Sequence, residues 1–174
     1  MKLNTVLIII AAGPVLAALP ASAHVTLENR QASPGSYYKA VFAVPHGCAG
    51  SATVKIRVQI PEGVIAVKPM PKPGWSIETV KGKYSTSYQH HGATITEGVK
   101  EVAWSGGKLA DDNYDEFVLA TFLTGSLKPN TTLYFPLVQE CEQGTSRWIE
   151  IPQEGKPAHD TKSPAPGVKL VPKP

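Results

Sequence analysis

Apolar and polar residues alternate with a period of two along most of the chain, and turn-forming clusters interrupt the alternation at short intervals. The clearest run is Ala52 to Ile60 (ATVKIRVQI). Val54, Ile56, Val58 and Ile60 fall on one face, and Lys55, Arg57 and Gln59 fall on the other. This predicts a half-buried strand closed by the turn Pro61-Glu62-Gly63. Tyr37 to Val44 predicts a strand ending at Pro45-His46-Gly47. Val64 to Lys68 predicts another, followed by the Pro69–Gly74 turn cluster and a strand from Trp75 to Val80. Val99 to Trp104, Glu116 to Thr124, Thr132 to Gln139 and Ser146 to Ile151 complete the set. Residues 81–98 are polar and read as a long loop or mobile hairpin tip. Short strands at this spacing, with no helical period, predict an all-β antiparallel β-sandwich.

The two ends of the chain depart from this pattern. Val6 to Leu19 is apolar apart from Gly13 and Pro14, Lys2 supplies a positive charge ahead of it, and Ala21-Ser22-Ala23 is a small-x-small site. Residues 1–23 are therefore expected to be a cleavable signal peptide. The run is short for a membrane span, and Pro14 would break a spanning helix. No later run is long enough to span, so the mature chain is expected to carry no transmembrane anchor and to be periplasmic or secreted. From residue 152 to residue 174 the chain is rich in Pro, Lys and Gly with little to bury, which predicts a flexible, disordered tail. One folded domain is expected over residues 24–151.

Composition narrows the function classes. The chain has 174 residues, 42% hydrophobic and 18% charged, with 16 Pro, 15 Gly and a formal net charge of +3. This excludes a coiled coil, a charged disordered protein and a multi-domain enzyme. No run of Lys or Arg points to nucleic acid. No nucleophile–base pair and no spaced carboxylate pair points to hydrolysis, so an enzyme is not expected.

Cleavage after Ala23 would make His24 the first residue. An α-amine has a pKa of about 8 and an imidazole about 6.5, so both nitrogens deprotonate at accessible pH. Held on one residue, the amine and Nδ1 can close a six-membered chelate around a metal, and nitrogen donors favour Cu(II) among the common divalent ions. The alternative is an unengaged terminal residue. Two cysteines, Cys48 and Cys141, predict a disulfide in an exported chain, which the chain-entropy account credits with about 4–5 kcal/mol. The competing thiolate copper site needs a His or Met soon after Cys141, and the next His is His159.

A set of motifs then carries a resemblance. His24-Val25-Thr26-Leu27 is followed by Ser33-Pro34-Gly35-Ser36, Val44-Pro45, Ile60-Pro61-Glu62-Gly63-Val64 and Pro73-Gly74-Trp75. Later come Trp104-Ser105-Gly106-Gly107, Asp115-Glu116-Phe117, Phe135-Pro136-Leu137-Val138-Gln139, and Gly144 with Trp148. Together they resemble the YcnI-like copper-binding domain over roughly residues 24–151. The resemblance implies an immunoglobulin- or cupredoxin-like sandwich that binds one Cu(II) through the amine and imidazole of its first His, a mono-histidine brace. A loop carboxylate and a nearby Trp complete that site. His24 carries over directly; Trp148 is the best match for the Trp, with Trp104 second. This chain has His46 after Val44-Pro45, where the family often has an acid. Either His46 takes the place of the carboxylate, or His46 is a turn residue and the ligand is Glu62, Glu28, another acid or water. A Cys48–Cys141 bond would tie the His46 loop to the segment leading into Trp148.

Other candidates carry less. His90-His91 reads as part of a solvated loop, with adventitious metal binding as the alternative, and His159-Asp160 lies in the tail. Trp75 and Trp104 read as core, Met70 is a lone thioether, and Asn130-Thr131-Thr132 matches a glycosylation acceptor by chance. The function expected is an exported Cu(II) carrier or buffer serving a membrane copper transporter or a copper chaperone. The alternatives are a copper-dependent redox enzyme with a histidine brace and a metal-free cell-surface binding sandwich.

Overall fold

The computed structural model describes residues 24–152 and 161–173. The expected signal peptide and His159-Asp160 lie outside them. Twelve strands make up the regular structure: β1 Thr26–Leu27, β2 Gln31–Ala32, β3 Ser36–Val44, β4 Thr53–Gln59, β5 Val64–Pro69, β6 Ser76–His90, β7 Ala93–Leu109, β8 Asp115–Leu123, β9 Thr132–Tyr134, β10 Leu137–Cys141, β11 Thr145–Trp148 and β12 Gly167–Leu170. They form a four-stranded sheet in the order β1-β3-β8-β5, a five-stranded sheet β11-β10-β4-β7-β6, and a three-stranded sheet β2-β12-β9. The all-β sandwich is as expected, and no helix occurs among the described residues.

Alternation explains which face each strand buries. On β3, Tyr38, Ala40, Phe42 and Val44 point inward and meet Phe117, Leu119 and Leu123 of β8. On β4, Ile56 and Val58 are fully buried while Gln59 is exposed. Val54 is only half-buried, because the register with β7 shifts between Thr53 and Lys55. Trp104 and Phe117 meet edge to face at 5.5 Å, and Phe42 and Phe135 do so at 5.7 Å.

Three expectations are corrected. The disordered tail over residues 152–174 contains β12, which pairs antiparallel with β9 and parallel with β2. Val168 and Leu170 are buried in the main core. Averaged over a Pro- and Lys-rich segment the composition looks unfoldable, but Val168-Lys169-Leu170 is itself a period-two pattern, and two neighbouring strands are enough to anchor it.

Of the two readings of the polar stretch 81–98, a long loop or a hairpin tip, the loop falls: the stretch is a paired hairpin. β6 and β7 pair from Ser76↔Ser105 to His90↔Ala93, with register shifts after Val80 and after Lys83. His91 and Gly92 form the two-residue turn with positive φ of 49° and 77°, as a type I′ hairpin requires. The strand-forming signal there is Tyr, Thr and Ser and not aliphatic residues. The third correction is Thr132 to Gln139, which is two strands. Pro136 has no N–H to donate and lies between β9 and β10, which belong to different sheets.

Candidate metal centre

His24 precedes β1 and is half-buried. Its ring meets Trp148, the last residue of β11, edge-on at 5.6 Å between centroids. Trp148 is buried, and its indole Nε1 donates to Gln139 Oε1 at 3.0 Å. Gln139 lies on β10 and is fully buried. Its amide Nε2 donates to the His46 carbonyl at 2.7 Å and to Thr53 Oγ1 at 2.8 Å. One buried amide thus holds both the ring that packs on His24 and the backbone of the His46 loop. A buried amide left unpartnered costs about 1–3 kcal/mol, so these bonds fix the side chain's position.

His46 lies in the loop after β3. Its ring Nδ1 donates to the Gly47 carbonyl at 2.6 Å, which places the proton on Nδ1 and the ring's lone pair on Nε2. That division of roles is common in metal-binding imidazoles. Gly47 is obligatory at its position: a Cβ there would stand 2.0 Å from the Ser51 carbonyl oxygen. The next residue is Cys48, bonded to Cys141 at the end of β10. The expected disulfide is present, and it joins the His46 loop to the strand that carries Gln139.

The carboxylate candidates sit elsewhere. Glu62 Oε1 accepts from Tyr88 Oη at 2.7 Å and from the Ser85 N–H at 3.1 Å, and Oε2 accepts from Lys100 at 2.8 Å. Those partners belong to β6 and β7, whereas Trp148 is on the opposite edge strand of the same sheet. At about 4.8 Å per strand, β11 and β7 lie roughly 14 Å apart. Glu62 is therefore not brought to His24. Burial pushes its carboxyl up, but the bonds from Lys100, Tyr88 and Ser85 outweigh that and hold it below the usual Glu range. Glu28 is exposed and shares a hydrogen bond with Glu116, which together with the Glu116 charge raises its pKa. Trp104 is a core residue whose indole donates to the Met70 carbonyl at 3.3 Å. Among the described residues no three His, Cys, Asp or Glu side chains gather into a metal-holding group.

Gln139 was not singled out from the sequence, although the signal was there. It is a polar residue on the inward face of β10, between Leu137 and Cys141, and such a residue is retained in a core only with its hydrogen bonds made. A cavity of about 440 Å³ also adjoins His24, bounded in part by Arg30, Tyr134, Pro164 and Lys169. The strand β12 forms part of its wall.

Among solved structures, the chain is similar to an uncharacterized protein from Nocardia farcinica with an immunoglobulin-like fold. The TM-score is 0.63 and the identity 22%, covering 85% of this chain and 98% of that one. No curated protein matches the sequence. Residues 24–170 match the domain family described as a domain of unknown function, DUF1775, and the match includes β12 at the end that composition had assigned to a tail. With nearly all of its described residues inside that match, the chain belongs to the DUF1775 family.

Proposed function

We propose that this protein is an exported Cu(II)-binding protein, a carrier or buffer whose cargo is held by His24 as the first residue of the mature chain. The observation that carries the reading is the placement of His24. Its ring packs on Trp148, and Trp148 is locked through Gln139 to the loop bearing His46. After cleavage at Ala23, the amine and Nδ1 of His24 would chelate Cu(II), and Nε2 of His46 would supply a third nitrogen. Three nitrogens suit Cu(II) in the Irving–Williams order. The Trp148 ring limits the rotamers open to His24, so less freedom is lost when the chelate closes. A carrier on the outer side of a membrane would exchange this copper with a membrane transporter or a copper chaperone. The YcnI-like resemblance supports the same reading.

The test is a Cu(II) titration of the protein starting at His24, followed by electron paramagnetic resonance. One tight type 2 copper with nitrogen couplings is expected. It should be lost in His24→Ala and in a form starting at Ala23, whose His24 nitrogen is an amide. His46→Ala should keep one copper but lose one nitrogen coupling. Equal affinity in the Ala23 form would overturn the reading.

A further inference from the structure

A second pair of histidines is drawn together at the far end of the long hairpin. His90 ends β6 and His91 occupies the first turn position with φ of 49°. A His in this left-handed conformation aims its ring along a different direction from a regular strand residue, so the two neighbours do not point to opposite faces. Their ring centroids are 4.3 Å apart. Two imidazoles bound to one metal at about 2.0–2.1 Å per bond place their centroids roughly 4.5–5 Å apart. The observed separation of the rings is within a few tenths of an ångström of that range.

The surroundings hold both rings in place. His90 packs on Phe122 of β8 at 4.6 Å. His91 lies 2.7 Å from the Tyr37 hydroxyl through Nε2 and stacks on the Tyr37 ring at 6.3 Å. With the proton on Nε2, His91 donates to the Tyr37 oxygen and its Nδ1 keeps the lone pair, the arrangement in which an oxygen partner orients a metal-binding imidazole. Tyr37 and Phe122 pair across the outer face of the four-stranded sheet, so the hairpin tip is folded onto that face. A cavity of about 230 Å³ bounded by His90, Lys81, Tyr84 and Glu97 leaves room for water beside His90.

We infer that His90 and His91 form a divalent-metal site at the hairpin tip, oriented by Tyr37 and completed by water, with Cu(II) bound ahead of Zn(II). Such a site is separate from His24 and does not depend on the free amine. Its metal would pin the tip of β6 and β7 to β3. Two imidazoles and water make a weaker, faster-exchanging site than a chelate.

The test adds Cu(II) alone to the chain carrying His24→Ala and His46→Ala, without an affinity tag, so that the outcome is independent of the carrier reading. One equivalent with couplings from two imidazoles is expected, and it should disappear when either His90→Ala or His91→Ala is added. Tyr37→Phe, which keeps the packing on Phe122, should retain the equivalent at about tenfold weaker affinity. Zn(II) should compete for it at higher concentration. Binding that persists unchanged in His90→Ala and His91→Ala would overturn the site, and so would the absence of any equivalent in the His24→Ala, His46→Ala chain while its circular dichroism is that of the folded protein.

Discussion

The two histidine-bearing ends of this sandwich are held in opposite ways. Around His24 the fixing contacts are internal: a fully buried Gln139, a buried indole and a disulfide between residues 93 apart in sequence. Around the hairpin a small buried cluster of Ile65, Tyr84 and Tyr88 is joined by contacts closer to the surface. Glu62 and Lys100 leave 37% and 32% of their side chains exposed, and Tyr37 is 66% exposed. Contacts screened by water are worth little each and yield easily, whereas a buried hydrogen-bond hub is costly to disturb. The His24 end is thus fixed by a buried polar hub, and the hairpin end by ring packing and hydrogen bonds closer to water.

The contrast can be broken most strongly at the disulfide. Cys48→Ala with Cys141→Ala should lower stability by about 4–5 kcal/mol in a denaturant titration, and should weaken Cu(II) binding at His24 by loosening the His46 loop. Leu170→Ala is expected to cost about 2–5 kcal/mol, which a scanning calorimeter would read as a lower Tm. A disordered tail would show no change. Gln139→Ala leaves the Trp148 indole and the His46 carbonyl without their shared partner, and should cost about 2 kcal/mol. Its sharper readout is spectroscopic: broadened copper resonance lines at His24 with the hairpin-tip site unaltered.

The smallest effect belongs to Glu62→Gln, below about 1 kcal/mol near neutral pH. Because the folded state holds the Glu62 carboxyl below its ordinary value of 4.5, the contribution of the charge is present above that value. It is lost as pH falls through the lowered one, so wild type and Glu62→Gln should converge in urea midpoint in acid. Tyr88, pushed up to about 12 by burial and by its bond to Glu62, gives the mirror case. Its neutral phenol stabilises the fold at pH below the usual 10.0, and that gain is lost as pH rises through about 12. A Tyr88→Phe variant should lose one of the alkaline steps in a titration of hairpin fluorescence and keep that of Tyr84, whose phenol is also raised by burial.

What could be read from the residues follows from how local each signal is. β4 was legible because four apolar residues at alternate positions say both strand and face, and the Cys48–Cys141 bond because two cysteines offer one pairing. β12 was not, since its pattern depends on partners distant in sequence: Val168 and Leu170 look isolated until β2 and β9 stand beside them. The hairpin was half legible, one of two readings of a polar stretch whose strands carry Tyr, Thr and Ser. The same holds at the site. His24 and Trp148 could be named from the chain, but Glu62 seemed equally eligible until its bonds to Tyr88 and Lys100 placed it across the sheet. Gln139 acts only through neighbours, so the sequence showed its polarity and not its role.

The parallel pairing of β12 with β2 has a consequence for when the protein can fold. Lys169 sits opposite Gln31, so everything between those two residues must be synthesised before that pair can close. Loop-closure entropy makes so distant a pairing slow relative to the local β6–β7 hairpin. A nascent chain that stops short of β12 leaves β9 and β2 without their shared neighbour and the core open at Val168 and Leu170. Completion of the fold therefore waits for β12, and the β6–β7 hairpin is paired well before the core is closed.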